Sequence, residues 1–106
     1  FNTNENIFSY SNLTIDLDTY IATIDGEPLS LTKKELEILW TLATNKNKVF
    51  SRDNLLNQLW GYDYFGDSRT VDSHIRRLRA KMDDSSHPDW ELKTIWGVGY
   101  KFEGSL

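Results

Sequence analysis

The chain of 106 residues contains no cysteine. Disulfides, thiolate metal ligands and a cysteine nucleophile are therefore excluded, in agreement with a reducing cytoplasmic environment. No apolar run approaches the roughly 20 residues of a membrane span, and the start of the chain lacks the basic and apolar regions of a secretion signal. The two histidines, His74 and His87, lack metal-ligand spacing with any partner. We therefore expect a soluble cytoplasmic protein without a metal, another cofactor or a membrane partner.

Length and composition indicate one small globular domain over residues 1–106. Apolar residues make up 39% of the chain and aromatic residues 13%, so large aromatic side chains supply much of the burial. A chain of this length can build one core but not two. The sequence pI near 5.0 argues against polyanion binding by the whole surface. Any contact with nucleic acid is therefore expected to involve a local patch.

Positive charge is concentrated in residues 69–81, RTVDSHIRRLRAK. This segment has a net charge of +4 in a chain whose net charge is −4, so the remainder sums to −8. On a helix, Val71, Ile75, Leu78 and Met82 form one apolar stripe. The other sides carry polar and small residues: Arg69, Thr70, Asp72, Ser73, His74, Arg76, Arg77, Arg79, Ala80 and Lys81. A helix with one anchored face and one arginine-rich face is suited to the major groove of DNA, where guanidinium groups match guanine edges and phosphates.

The same residues have two other interpretations. The arginines could form a solvated surface held by i, i+4 pairs such as Asp72 with Arg76. The order Asp72-Ser73-His74 contains the residue types of a catalytic triad, but consecutive helix positions diverge by about 100° and cannot converge on one proton path. We therefore predict that the chain is not an enzyme.

The N-terminal half predicts a small sheet followed by two helices. Residues 7–31 alternate apolar and polar side chains and break at Ser11, Asp18 and Asp25, which predicts four short antiparallel strands over 7–10, 13–17, 20–24 and 28–31. Thr32 and Glu35 are spaced as a capping box, so the first helix is predicted over 32–46. Ser51 caps a second helix over 51–60, with Gly61 as its stop.

The C-terminal half predicts a loop, the basic helix and a hairpin. An aromatic loop spans 61–67, the basic helix spans 69–84, and a hairpin spans 91–103 around Gly97 and Gly99. Two helices followed by a glycine-tipped hairpin have the order of a winged helix-turn-helix. The predicted fold is therefore α+β, with an N-terminal four-stranded antiparallel sheet, a three-helix core and a C-terminal β-hairpin wing.

Five separated motifs occur in the order found in one known family. They are LTKKEL at 31–36, SRDNLL at 51–56, WG at 60–61, RTVDSHIRRLR at 69–79 and GVGYKF at 97–102. Together they resemble the C-terminal effector domain of OmpR/PhoB-type response regulators over essentially the whole chain. The loop WGYDYFGD and the ending IWGVGYKF resemble most the respiratory regulators of Gram-positive bacteria.

The resemblance implies sequence-specific binding of double-stranded DNA by a two-component transcription regulator. In that family the basic helix lies in the major groove and the wing reaches the minor groove. The residues that would contact DNA are Arg52, Trp60, Arg69, Thr70, Ser73, His74, Arg76, Arg77, Arg79, Thr94, Trp96 and Tyr100. Tyr62, Asp63, Tyr64 and Phe65 would contact RNA polymerase, or alternatively they cap the core.

The resemblance also implies partners beyond this chain: an N-terminal receiver domain, a sensor histidine kinase acting on that receiver in a phosphorelay, and a second copy of the protein in a dimer on promoter half-sites. Two residues depart from the pattern of many relatives. Trp96 replaces an arginine in the wing, and Ser73 replaces a small aliphatic residue, so we expect altered sequence preference. The alternative function is a winged-helix module that binds protein only, through the aromatic loop.

Overall fold

The computed structural model describes residues 6–64 and 66–105. Four strands precede three helices, and two further strands follow them. The elements are β1 (Ile7–Tyr10), β2 (Leu13–Asp16), β3 (Ile21–Ile24), β4 (Glu27–Pro28), α1 (Lys33–Thr44), α2 (Arg52–Leu59), α3 (Arg69–Met82), β5 (Trp90–Ile95) and β6 (Gly99–Gly104). This order confirms the predicted α+β winged-helix architecture. Within the described residues, the structure has no helix with the length and apolar character needed to cross a membrane.

The N-terminal sheet is antiparallel, with strand order β1-β2-β3-β4. Leu13 pairs with Ile24 and Ile15 pairs with Ala22, and all four side chains are completely buried. The alternation in the sequence therefore places one face of the sheet on the core. Ser11 and Asp25 lie at predicted breaks and have φ values of 54° and 55°, as tight turns require.

The fourth strand differs from the prediction of residues 28–31. β4 comprises only Glu27–Pro28, and its pairing with β3 is followed by one further bond from the Leu29 amide to the Ala22 carbonyl at 2.9 Å. Proline has no amide proton to donate to a ladder. Leu29 and Leu31 pack against the core, and the Leu29 amide makes the one bond to β3 given above. Their apolar character reflects this packing, which the sequence pattern could not distinguish from a strand.

Both predicted helix caps are present. The Thr32 hydroxyl accepts from the Glu35 amide at 3.3 Å, and the Glu35 carboxylate accepts from the Thr32 amide at 3.0 Å. Ser51 and Asn54 form the same reciprocal pair at the start of α2. Gly61 follows α2 with a φ of 95°, a conformation that favours glycine. α1 and α3 end two residues before their predicted limits, within the usual fraying of helix ends.

The apolar stripe of α3 fixes its orientation on the core. Val71, Ile75, Leu78 and Met82 are each at most 1% exposed. α3 packs against both α1 and α2. The stripe predicted from helical spacing is therefore the buried side, and the polar side chains of α3 lie on the remaining sides.

The C-terminal hairpin forms the wing and is attached to the connector after α1. The Phe50 amide donates to the Tyr100 carbonyl at 2.8 Å, and the Tyr100 amide donates to the Phe50 carbonyl at 2.9 Å. A Cβ atom at Gly99 would lie 2.0 Å from the Phe50 carbonyl oxygen, so this approach requires glycine. Gly97 occupies the hairpin turn with a φ of 79°. The two hairpin glycines therefore serve different purposes, since Gly97 adopts a positive φ and Gly99 allows a close backbone approach.

Candidate nucleic-acid interface

The surface of α3 opposite the core carries exposed cations. Arg76 is exposed and forms no ion pair with any described residue. The Arg77 side chain is 54% exposed. Ser73 and Thr70 are half-buried, and Ala80 is exposed. The surface therefore combines long arginine side chains with small neighbours, which leave space for the backbone of a nucleic acid.

The start of α3 is organised by Asp67. One carboxylate oxygen accepts the Arg69 amide at 2.9 Å, and the other accepts the Arg69 Nε at 2.8 Å. These bonds from Arg69 lower the pKa of Asp67 and raise that of Arg69. The Arg69 side chain is 80% exposed. An exposed ion pair of this kind contributes little stability, so Arg69 can exchange its partner for a phosphate at small cost.

Asp72 connects three elements instead of pairing with Arg76. It lies 2.9 Å from Arg52 Nη1 on α2, and it accepts the Tyr100 hydroxyl from β6. Asp72 therefore does not form the pair with Arg76 that the solvated-surface interpretation invokes, because α3 turns Asp72 toward α2 and the wing. We call Arg52, Asp72 and Tyr100 the clasp. Burial and the Asp72 carboxylate raise the pKa of Tyr100 to about 12.

Arg79 also bonds within the protein. Its Nε donates to the Leu92 carbonyl at 3.2 Å, and its Nη2 donates to the Thr94 hydroxyl at 2.6 Å. Its guanidinium carbon lies 5.5 Å from the centre of the Tyr100 ring. Tyr100 is only 8% exposed. Contacts of Arg79, Thr94 and Tyr100 with DNA remain predictions, and in the free protein these three side chains join α3 to the wing.

Trp60 and His74 pack together beside the basic surface. Their ring centres are 5.2 Å apart at an interplanar angle of 76°. His74 Nδ1 lies 2.7 Å from the Thr70 carbonyl, so that nitrogen carries a proton. The Lys34 ammonium lies 5.2 Å from the centre of the Trp60 ring. Trp60 is half-buried.

The wing tip is apolar and projects into solvent. Trp96 is 89% exposed and Val98 is 56% exposed. A groove of about 460 Å³ separates this tip from the starts of α2 and α3. Arg52, Asp72, Thr94, Trp96 and Tyr100 line it. The structure thus brings Arg52 and the wing residues predicted from the sequence to one groove next to α3.

The aromatic loop after α2 lies beside Trp60. Tyr62 is 85% exposed and Asp63 is exposed, whereas Tyr64 is 38% exposed and its ring centre lies 6.3 Å from that of Trp60. Phe65, predicted to act with them, lies outside the described residues. Tyr62 is therefore available to a partner, and Tyr64 covers part of the Trp60 ring.

Sequence reasoning missed the contacts that hold the basic side chains. Glu35 was predicted only as a capping residue, yet it is completely buried and contacts Arg77 and Lys81 of α3. Asp72 pairs with Arg52 of α2, a contact between elements that spacing within α3 does not indicate. In residues 6–64 and 66–105, no three His, Asp or Glu side chains cluster in a way that could hold a metal ion.

A winged helix that presents a basic helix between α2 and a hairpin is the architecture of a class of transcriptional regulators. Residues 26–102 match the family described as "Transcriptional regulatory protein, C terminal". The chain belongs to this family, and its fold is that of OmpR/PhoB-type DNA-binding domains.

Similar proteins are found in Gram-positive bacteria. The chain is 47% identical over 107 residues to the transcriptional regulatory protein ResD of Bacillus subtilis (strain 168), a match that covers 97% of this chain and 45% of ResD. It is 45% identical over 98 residues to SrrA of Staphylococcus aureus (strain NCTC 8325 / PS 47), covering 92% of this chain and 41% of SrrA. The chain thus spans less than half the length of these relatives. The resemblance to Gram-positive regulators is confirmed.

Two similar solved structures contain DNA. The Klebsiella pneumoniae RstA DNA-binding domain in complex with the RstA box has a TM-score of 0.79 and 35% identity, covering 93% of this chain and 98% of that chain. The DNA-binding domain of the response regulator AdeR, in complex with an intercistronic region, has a TM-score of 0.81 and 33% identity. The match covers 92% of this chain and 99% of that chain.

Proposed function

We propose that this chain binds double-stranded DNA sequence-specifically as the effector domain of a two-component transcription regulator. α3 enters the major groove, and the wing lies at the adjacent minor groove. The observation that carries the proposal is the exposed cationic surface of α3, held against the core by four buried side chains and flanked by the wing. The similar RstA and AdeR domains, solved with DNA, support it.

The predicted DNA residues form two groups in the free structure, and Arg69 and Arg77 of the first group also bond to Asp67 and Glu35. Arg69, Ser73, Arg76, Arg77 and Trp96 are proposed to contact DNA directly, with Thr70 and His74 at the edge of the same surface. Arg52, Trp60, Arg79, Thr94 and Tyr100 bond or pack within the protein. For this second group we propose contacts with the phosphate backbone that share or exchange the present partners.

Arg76→Ala tests the proposal most directly, because Arg76 is exposed and forms no ion pair with a described residue. A preferred duplex is first selected from a random pool, and binding is then measured across a salt series. We expect Arg76→Ala to weaken specific binding by about 1–3 kcal/mol, and to lower the salt slope by about 0.9 for a contact with phosphate.

Lys46→Ala is the matched control, since Lys46 is an exposed cation outside α3 whose ammonium lies 5.6 Å from the centre of the Tyr10 ring. It should leave specific affinity unchanged at physiological salt. Equal affinity for selected and scrambled duplexes would contradict the proposal. Absence of any DNA complex would favour the alternative, a protein-binding module that uses the aromatic loop.

We also propose partners for the longer protein of which such a domain is a part. Tyr62, Asp63, Tyr64 and Phe65 would contact RNA polymerase, and the exposure of Tyr62 supports this. A receiver domain, phosphorylated by a sensor histidine kinase, would control dimerisation on promoter half-sites. These proposals rest on family membership, and no catalytic activity is proposed for the domain.

A further inference from the structure

Glu35 is unusual because it is a completely buried carboxylate on the first turn of α1. It contacts three donors. One oxygen lies 3.0 Å from the Thr32 amide and 2.6 Å from the Lys81 ammonium, and the other lies 3.4 Å from Arg77 Nε. A helix outside the proposed DNA-contacting surface therefore bonds directly to two cations of α3.

The Glu35 carboxylate is charged at neutral pH. Burial raises its pKa, but the bonds from Lys81, Thr32 and Arg77 together lower the pKa by more than burial raises it. The net pKa therefore lies below its ordinary value. A charged, buried carboxylate needs its donors, because the unpaired charge would be costly in this environment. The two cations stabilise the charged form of Glu35, and Glu35 in turn restrains the positions of their side chains.

The contact leaves part of Arg77 available. Only its Nε bonds to Glu35, and the side chain is 54% exposed, whereas the Lys81 side chain is 33% exposed. A guanidinium group has five N–H donors in a rigid planar fork, so one edge can be held while the terminal nitrogens bind another anion. Arg76, next to it, has no such restraint from a described residue.

We propose that Glu35 is a positioning residue for DNA binding: it holds Arg77 by Nε and directs the terminal nitrogens of that guanidinium toward a phosphate of the duplex. The inference deepens the proposed function and rests on it. A long side chain fixed before binding loses less rotamer freedom when the complex forms. α1 therefore contributes to DNA affinity without contacting DNA.

A double-mutant cycle separates positioning from the charge and stability effects of Glu35. Glu35→Gln keeps the shape and an oxygen for the Thr32 amide but removes the charge. Binding to the selected duplex is measured for the wild type, Glu35→Gln, Arg77→Ala and the double variant. We expect Glu35→Gln to weaken binding at least threefold when Arg77 is present, and to cause no weakening in the Arg77→Ala background.

The electrostatic effect of removing a negative charge occurs in both backgrounds, so it cancels in the cycle. Equal effects of Glu35→Gln in both backgrounds would overturn the inference while leaving the proposed function intact. Failure of the wild type to bind the selected duplex would overturn both. Thermal unfolding of each variant identifies loss of the fold.

Two measurements do not depend on the folding of the Glu35 variant. Arg77→Lys keeps the positive charge but lacks the guanidinium fork, so we expect it to lose most of the affinity that Arg77→Ala loses. Wild-type affinity in Arg77→Lys would contradict the positioning role. In the free wild-type domain, the Arg77 Nε proton should exchange slowly with water by NMR, and fast exchange there would show that Glu35 does not hold it.

Discussion

Trp96 is the residue at which the proposed interface departs most from a purely ionic one. Its indole is 89% exposed at a wing tip that also presents Val98. An apolar contact with the minor groove releases no counterions, whereas an arginine that neutralises a phosphate does. The wing should therefore contribute affinity that depends little on salt.

Trp96→Ala and Trp96→Arg should consequently differ in their salt dependence. We expect Trp96→Ala to weaken binding by a similar factor at every salt concentration and to leave the slope unchanged. Trp96→Arg should steepen the slope by about 0.9, as expected for one added phosphate contact. Titrations of the selected duplex between low and physiological salt measure both quantities.

Ile21→Ala provides the matched control, because Ile21 is an exposed apolar side chain on the N-terminal sheet, 47% exposed. Its replacement should not change DNA affinity. A Trp96→Ala variant with wild-type affinity would show that the wing tip does not contact the duplex.

At the scale of elements, the clasp joins α2, α3 and β6 through one carboxylate. The Tyr100 hydroxyl donates to Asp72, and Arg52 lies on the other carboxylate oxygen. Ionised Tyr100 would place a second negative charge against Asp72 in a buried position. The clasp therefore stabilises the wing against α3 only while Tyr100 keeps its proton.

The pH dependence of unfolding tests the clasp. Folding raises the pKa of Tyr100 from 10.0 to about 12, so its contribution is complete below pH 10 and is lost as the pH rises through 12. Tyr100→Phe lacks this titration. Between pH 10 and 12 we expect the wild type to lose on the order of 2 kcal/mol more unfolding free energy than Tyr100→Phe.

Denaturant unfolding at several alkaline pH values measures this difference. Tyr62→Phe is the control, since Tyr62 is an 85% exposed phenol, and it should behave as the wild type does. If the unfolding free energies of the wild type and Tyr100→Phe fall in parallel with pH, the contact between Tyr100 and Asp72 does not stabilise the fold through the Tyr100 proton.

Local signals explain which elements could be predicted from the sequence. The Thr32–Glu35 capping box, the Gly61 stop and the Val71–Met82 stripe each depend on residues within a few positions of one another.

The prediction of a strand over residues 28–31 is wrong because packing on the core and strand pairing select the same apolar residues. Contacts between elements, such as Glu35 with Arg77 or Asp72 with Tyr100, join positions 42 and 28 residues apart, and nothing in a single sequence specifies them.

At the scale of the whole molecule, the charge of residues 69–81 is opposite in sign to that of the remaining chain. The molecule measures 40 × 29 × 23 Å, and the net charge is +4 within residues 69–81 and −8 outside them. Distant carboxylates act on DNA only through solvent. Such interactions extend about 30 Å at 10 mM salt and about 8 Å at physiological salt.

Asp25 and Glu27 are exposed carboxylates of the N-terminal sheet and its turn, so they test this long-range effect. We expect Asp25→Asn with Glu27→Gln to tighten binding to any duplex, selected or scrambled, about two- to threefold at 10 mM salt and not at 150 mM. Ser30→Asn, which changes no charge at another exposed position, should have no effect at either concentration. An equal gain at both concentrations would mean that these carboxylates lie against the bound DNA. The acidic surface would then belong to the interface itself, and α3 with the wing would not account for all of the contact.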